Sequence, residues 1–175
     1  MSKDKPGRFD LQALFGALDA QRRARGLTWA AAVRDMSGPF AGGGSRRLAV
    51  STVTRLRTQP VAEGDGVLQM LGWLGGTPES FVPGCPVEAV PLPAVAPDST
   101  RRVLRMDTRK LHAAVDAARV SRGLTWDEAA REIGRWSAGS LAHLSKGGRT
   151  GFPHVMRITA WLGRPLADFV RLTSR

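Results

Sequence analysis

The chain reads as an all-α protein made of two tandem five-helix units joined by a Pro-rich linker, and three observations lead there. The first is a duplication. Residues 10–36 read DLQALFGALDAQRRARGLTWAAAVRDM, and residues 107–133, 97 positions later, read DTRKLHAAVDAARVSRGLTWDEAAREI. After an insertion in the first copy the match resumes at an offset of 88. There Val53, Leu56, Trp73-Leu74-Gly75 and Phe81-Val82 correspond to Leu141, Leu144, Trp161-Leu162-Gly163 and Phe169-Val170. The second observation is apolar spacing of helical period between stop signals. The third is the run PGCPVEAVPLPAVAPDST at 83–100, with prolines at 83, 86, 91, 93 and 97. Such a run favours extended conformations at about 3.1 Å per residue and would span roughly 40–50 Å as a semi-rigid spacer. The expected division is therefore 1–82, a linker at 83–100, and 101–175.

Each element has a local cause. In the first copy Asp10 is a natural N-cap, and Leu11, Leu14, Phe15 and Leu18 form one apolar stripe, so a helix is expected to about Arg25. Gly26 closes it in the manner of a positive-φ C′ residue, and Thr28 caps a second helix to about Met36. Gly123 and Thr125 repeat that stop and start, and Thr125 with Glu128 has capping-box spacing. The copies then diverge. The first inserts a Gly-rich stretch at 37–45, read as an exposed loop, before a third helix at about 47–57; the second enters its third helix directly, at about 138–146. Fourth helices follow at about 65–74 and 153–162, each ending in Trp-Leu-Gly, and short fifth helices at about 78–82 and 165–171.

Composition bounds the function. The formal charge is +11 on 175 residues, a surplus that favours nucleic acid, or less often an anionic membrane surface, as partner. The charge is uneven: +4 over residues 1–83, −2 over 84–100 and +9 over 101–175. The second copy is thus expected to be the stronger electrostatic anchor. The single Cys85 excludes an internal disulfide and a multi-cysteine metal cluster, and three scattered histidines do not restore a metal site. No cofactor is expected. The polar start MSKDKPGRFD and the lack of an 18-residue apolar run point to a cytoplasmic, nucleoid-associated protein without membrane contact. Gly42-Gly43-Gly44 lacks the Gly-Lys-Ser/Thr ending of a phosphate loop, and no catalytic constellation is present, so an enzyme is not expected.

The ordered set RGLTWDEAAREIG…WSAGSLAHLSKGGR…VMRITAWLGRPLADFV, over about 105–171, resembles the lambda-repressor-like helix-turn-helix family, also known as the Cro or xenobiotic-response-element type. The first copy matches over 9–36 and 46–82, with its Gly-rich insertion as a departure. Independently of the resemblance, Ala32 and Ala129 are small enough for close approach of the second and third helices. Val53, Leu56, Leu141 and Leu144 would face the core and leave the opposite side of the third helix outward. The resemblance implies that this third helix is the recognition helix. Its outward residues would be Val50, Ser51, Thr54, Arg55 and Arg57 in the first copy, and Ala138, Gly139, Ala142, His143 and Lys146 in the second.

Arg55 suits a guanine edge, and Ser51 and Thr54 suit shorter base or phosphate contacts. Arg46 and Arg47 precede the first recognition helix directly; Lys146, Arg149 and Arg135 would grip backbone in the second copy. Trp29, Trp73, Trp126 and Trp161 recur at equivalent positions and read as packing. Trp136 is expected to fill the turn position that Leu48 fills in the first copy. Arg22-Arg23-Arg25 and Arg119-Arg122 read as a solvated helix face.

These readings lead to a sequence-specific, double-stranded-DNA-binding transcriptional regulator of bacterial or phage type, with two non-identical recognition helices on an asymmetric two-half-site operator. It would act as a monomer whose copies pair through Phe81-Val82 and Phe169-Val170, or as a homodimer. Two alternatives stand beside it. One copy would serve as an adaptor for another regulator or the transcription machinery, or the chain would coat DNA with low specificity as a nucleoid protein.

Overall fold

The structure, a computed structural model, describes residues 7–38, 47–94, 102–134, 136–147 and 149–174. It is mostly helical with one small two-stranded sheet. The first half contains α1 (Leu11–Ala24), α2 (Trp29–Ser37), α3 (Val50–Thr54) and α4 (Gly64–Leu74). The second contains α5 (Thr108–Ser121), α6 (Trp126–Ile133), α7 (Ala138–Ser145) and α8 (Phe152–Leu162).

The caps form where the sequence places them. Asp10 and Asp107 accept from Ala13 N–H (2.9 Å) and Lys110 N–H (3.0 Å), and Thr28 accepts from Ala31 N–H (3.2 Å). Thr125 and Glu128 make a complete capping box. Gly26 and Gly123, at φ 63° and 65°, stop α1 and α5 in the left-handed region where a side chain is strained.

Three expectations need correction. The third helix of the first half is only Val50–Thr54 before it tightens into a 3-10 turn, Arg55–Arg57. Its N-cap, Ala49, has no side-chain acceptor, and four of its five residues are β-branched, so little favours a longer α-helix. The expected fifth helices are single 3-10 turns, Pro78–Phe81 and Leu166–Phe169. Purely α-helical architecture also fails at the edge of the second half. There β1 (Arg102–Met106) pairs antiparallel with β2 (Val170–Ser174). The first half keeps a remnant of this pairing. Asp10 N–H donates to Phe81 O (2.8 Å) as Asp107 N–H does to Phe169 O (2.8 Å), and Gly7 N–H reaches Pro83 O (2.8 Å). Pro83 and Pro86 stand where the second half has Arg171 and Ser174, and without their N–H groups no strand can continue.

The insertion begins later than its glycines suggest. Ser37 belongs to α2 and is buried, and its hydroxyl accepts from Leu48 N–H at 3.2 Å, so the two ends of the insertion are tied together. Residues 39–45 of the insertion lie outside the described residues.

The halves pack directly on each other. Gly64 N–H donates to Thr150 O (3.2 Å) and Phe152 N–H donates to Ala62 O (2.8 Å), with Glu63 and Gly151 forming an antiparallel bridge between them. Each of these partners is its counterpart's equivalent at the offset of 88. The contact is therefore isologous, and an approximate two-fold axis passes through the bridge.

On one flank of the axis Phe9 packs edge-on against Phe152, centroids 4.8 Å apart. On the other the equivalent pair is Met106 and Gly64; a Cβ at Gly64 would lie 3.2 Å from Met106 Cγ. Arg105 forms an ion pair with Asp65, whose carboxylate also accepts from Met106 N–H (3.3 Å). Buried Glu79 accepts from Leu166 N–H at 2.8 Å. This contact, rather than ring packing of Phe81 on Phe169, joins the two 3-10 turns, because Phe81 packs on Phe9. One cluster of buried side chains runs through both halves, including Leu14, Val67, Met70, Phe152 and Ile158.

The linker is not a free spacer over its described part: Cys85 and Leu92 lie against this core. A shared core implies joint unfolding. Phe152→Ala, which empties a fully buried site on the seam, should cost about 3–5 kcal/mol. Urea unfolding followed by tryptophan fluorescence and by circular dichroism should give one coincident transition in both proteins; two separate transitions in the parent chain would contradict the shared core.

Candidate nucleic-acid interface

The duplicated Arg-Gly-Leu-Thr-Trp segment builds scaffold in both halves. Arg22 pairs with Asp19 (2.6 Å), donates to Leu27 O (2.8 Å) and lies over the Trp29 ring at 4.9 Å. Arg119 does the same with Asp116, Leu124 O (2.9 Å) and Trp126 (4.7 Å). Arg25 and Arg122 cover Trp73 and Trp161 at 4.8 and 4.2 Å. Hydrogen bonding to Arg22, aided by the charges of Arg22 and Arg23, holds the Asp19 carboxyl below its ordinary range. These arginines hold the helix 1–helix 2 corner. Arg23 reaches the same carboxylate of Asp19 at 2.9 Å.

Above this scaffold, α3 and α7 present their outer faces. Val53, Leu56, Leu141 and Leu144 are buried, while Val50, Ser51, Thr52, Arg55, Gly139, Ser140, Ala142, His143 and Lys146 are exposed. α7 is the better-capped helix, since the Ser137 hydroxyl accepts from Ser140 N–H (3.1 Å). Trp136 and Leu48 occupy equivalent turn positions: Trp136 packs edge-on to His154 (5.5 Å), and Leu48 lies 3.5 Å from a Cβ placed on Gly66.

A cleft of about 490 Å³ beside α3 brings together Arg47, Ser51, Thr52, Arg55, Gln59, Arg105 and Arg149. A second depression, about 570 Å³, lies beside α7 and is lined by Ser137, Gly139, Ser140, His143 and again Arg149. Arg149 thus stands between the two, next to the bridge. Its ion pair with Glu63 (3.3 Å) joins two well-exposed side chains, 87% and 55% accessible, and an exposed pair of this kind contributes no more than about 1 kcal/mol and leaves the guanidinium available.

Of the residues singled out in the sequence, Arg47, Ser51, Arg55, His143 and Arg149 line these two depressions. Lys146 is exposed at the C-cap of α7. Thr54 is half-buried, and its hydroxyl donates to Val50 O (3.2 Å), so it closes its own helix. Arg57 leans back over Phe15, 5.6 Å from the ring centroid, and its carbonyl accepts from Gln12 (3.1 Å). Arg46 and Arg135 lie outside the described residues.

Sequence reasoning passed over Thr52, Gln59, Ser140 and Arg105. The signal for Arg105 was present, because its equivalent in the first copy, Arg8, is also basic. No described helix is long and apolar enough to cross a membrane, and no group of three or more potential metal ligands occurs among the described residues. Comparison with family models, with curated proteins and with solved structures returned no significant match.

His154 sits at the edge of the second depression. Burial, then the charges of Arg8 across the seam and of Arg157 on its own helix, push its imidazole below its ordinary range. A histidine with a depressed folded pKa stabilises the fold above its unfolded value, and that stability is lost as pH falls through the folded value. Unfolding free energy should therefore decline on going from about pH 7 to pH 5. His154→Gln should flatten that decline in urea titrations at the two pH values, whereas an equal slope in the variant would remove His154 as its source.

Proposed function

We propose that this chain is a sequence-specific double-stranded-DNA-binding regulator in which one polypeptide supplies both recognition helices. The observation that carries this reading is the isologous bridge at 62–64 and 150–152, which relates α3 to α7 by an approximate two-fold axis. Duplex DNA has the matching symmetry, because successive major-groove faces on one side of the helix are related by dyads. The surplus of positive charge fits a polyanion, as do Arg47 and Arg55 in the cleft, where Arg105 and Arg149 are paired with the cleft's two acidic residues, Asp65 and Glu63. In this reading each half is a helix-turn-helix unit, with α2–α3 and α6–α7 as the paired helices. A monomer binds a complete site, since the face that would pair two chains is already used within one.

The two faces differ in chemistry. α3 carries Ser51 and Arg55, groups with hydrogen-bonding reach to base edges; α7 carries Gly139, Ala142 and His143, with Lys146 at its end. The first half reads sequence and the second holds phosphate, which makes the preferred site asymmetric. The same plainness of α7 favours one other reading, in which the second half docks on a protein partner.

Competition binding at two salt concentrations tests the proposal. A regulator keeps a large preference for its own site as salt rises, while a low-specificity protein loses affinity uniformly. Arg55→Ala should change base preference at one position by about 1–3 kcal/mol. Lys146→Ala should weaken binding on every sequence and lower the salt slope by about one. An Arg55→Ala protein with unaltered preference would contradict the assignment of α3, and a Lys146→Ala protein with unaltered affinity would favour the adaptor role for α7.

A further inference from the structure

The two-stranded ribbon of the second half sets like charges face to face. In an antiparallel pair, residues directly opposite project from the same face, with Cβ atoms about 4.5–5.5 Å apart. The register of β1 and β2 places Arg105 opposite Arg171. Like charges so placed destabilise a sheet, and a short two-stranded ribbon has little else to offset them. Arg105 is held by its ion pair with Asp65. Arg171 is exposed and makes no hydrogen bond or ion pair among the described residues. Asp65, Arg105 and Arg171 together therefore carry one net positive charge, and the uncompensated cation is on β2.

The ribbon belongs to the second half by sequence but stands on the first. β1 packs along α4, and Arg105 lines the cleft beside α3 together with Arg47, Ser51 and Arg55. Neighbouring strands are about 4.8 Å apart, so Arg171 extends the basic wall of that cleft by one strand. The duplication provides the comparison. On the other flank of the approximate two-fold axis the residues equivalent to Arg105, Arg171 and Asp65 are Arg8, Pro83 and Pro153. Arg8 has no second cation opposite it there, and it donates to Pro60 O. The doubled cation thus occurs only beside α3.

We infer that the Arg105–Arg171 face of the ribbon clamps one backbone phosphate of duplex DNA, next to the groove that α3 enters, with Arg171 as donor and Arg105 contributing charge. The inference rests on the DNA-binding reading above. A phosphate suits the place, because its charge offsets the repulsion within the pair and two of its oxygens match the fork of a guanidinium. Such a contact carries no sequence information, but it fixes the position of the protein on the duplex. The division of labour is then crossed: the strands of the second half hold the backbone for the recognition helix of the first.

The test uses the full chain with two duplexes, one selected by the parent from a random-sequence pool and one of fixed mixed sequence. Arg171→Thr, neutral and suited to a strand, should melt at the parent's temperature or slightly above it, because the like-charge pair is gone. It should bind both duplexes more weakly. Loss of one phosphate contact requires that this deficit shrink about three- to fourfold between about 50 and 200 mM salt. Arg171→Lys keeps the charge and should keep the parent's salt slope. Single methylphosphonates along the selected duplex locate the contact. The parent should lose affinity at a phosphate in the half-site where Arg55→Ala alters base preference, and Arg171→Thr should be indifferent at that position. An Arg171→Thr protein with the parent's salt slope, or with the parent's methylphosphonate profile, overturns the clamp. A parent that binds no duplex overturns the DNA-binding reading and the clamp with it. A parent that binds both duplexes equally overturns only its sequence specificity, and the salt slope then decides the clamp alone.

Discussion

Two backbone hydrogen bonds on either side of the Glu63–Gly151 bridge are the constraint from which the rest of this structure follows. They lie immediately before α4 and α8, so they set where both helices start and how the helices meet. Because both bonds are main-chain, they orient the halves without requiring any particular side chain at the axis. The flanks do require particular ones. Phe9 fills the space against Phe152 on one side, and Met106 takes the space that Gly64 leaves open on the other. A side chain at Gly64 would press on the Met106 side chain by a few tenths of an ångström, and Met106 in turn belongs to β1 and donates its N–H to Asp65. Packing, strand and ion pair are thus coupled through one small residue.

The α-helical scaffold was largely legible in the sequence because its signals are local. Asp10, Thr28 and Thr125 cap the helices they were expected to cap, Asp107 does for α5 what Asp10 does for α1, and Gly26 and Gly123 stop α1 and α5. What escaped depends on distant partners. β1 is five residues whose strand character arises only when 170–174 lies beside it, and the corresponding stretch of the first half is cut by prolines. The seam between the halves escaped for a similar reason: peptide groups carry no residue-specific signature. At the candidate interface, helical spacing identified which residues of α3 and α7 face outward. It could not show that Thr54 would bond its own backbone, which is a rotamer choice within α3, or that Arg57, in the 3-10 turn, would settle over Phe15.

The repeated tryptophans illustrate how a duplicated scaffold changes at its edges. All four keep their packing positions, and an arginine covers each ring. Only the indole N–H of Trp73 is buried without the carboxylate partner that Trp161 has, through a substitution one methylene in size. Small differences of this kind separate two halves whose helices follow in the same order: a proline in place of an arginine, a glycine in place of a phenylalanine. They are concentrated on the surfaces that face the linker and the seam.

Glu79 shows what such a difference means for assembly. Its buried carboxylate meets the N–H of Leu166, and the residue of the first half equivalent to Leu166 is Pro78, which has no N–H to offer. Two first halves brought together would bury two carboxyl groups against prolines and leave each without that donor, at about 1–3 kcal/mol for each lost bond. Two second halves would leave the Leu166 N–H facing Ala167, which cannot accept through its side chain. Like rejects like at this surface, although the backbone geometry is nearly indifferent. In a crowded cell, where many nascent copies emerge side by side, that chemical mismatch steers each half toward the unlike half, and the nearest unlike half is always on its own chain.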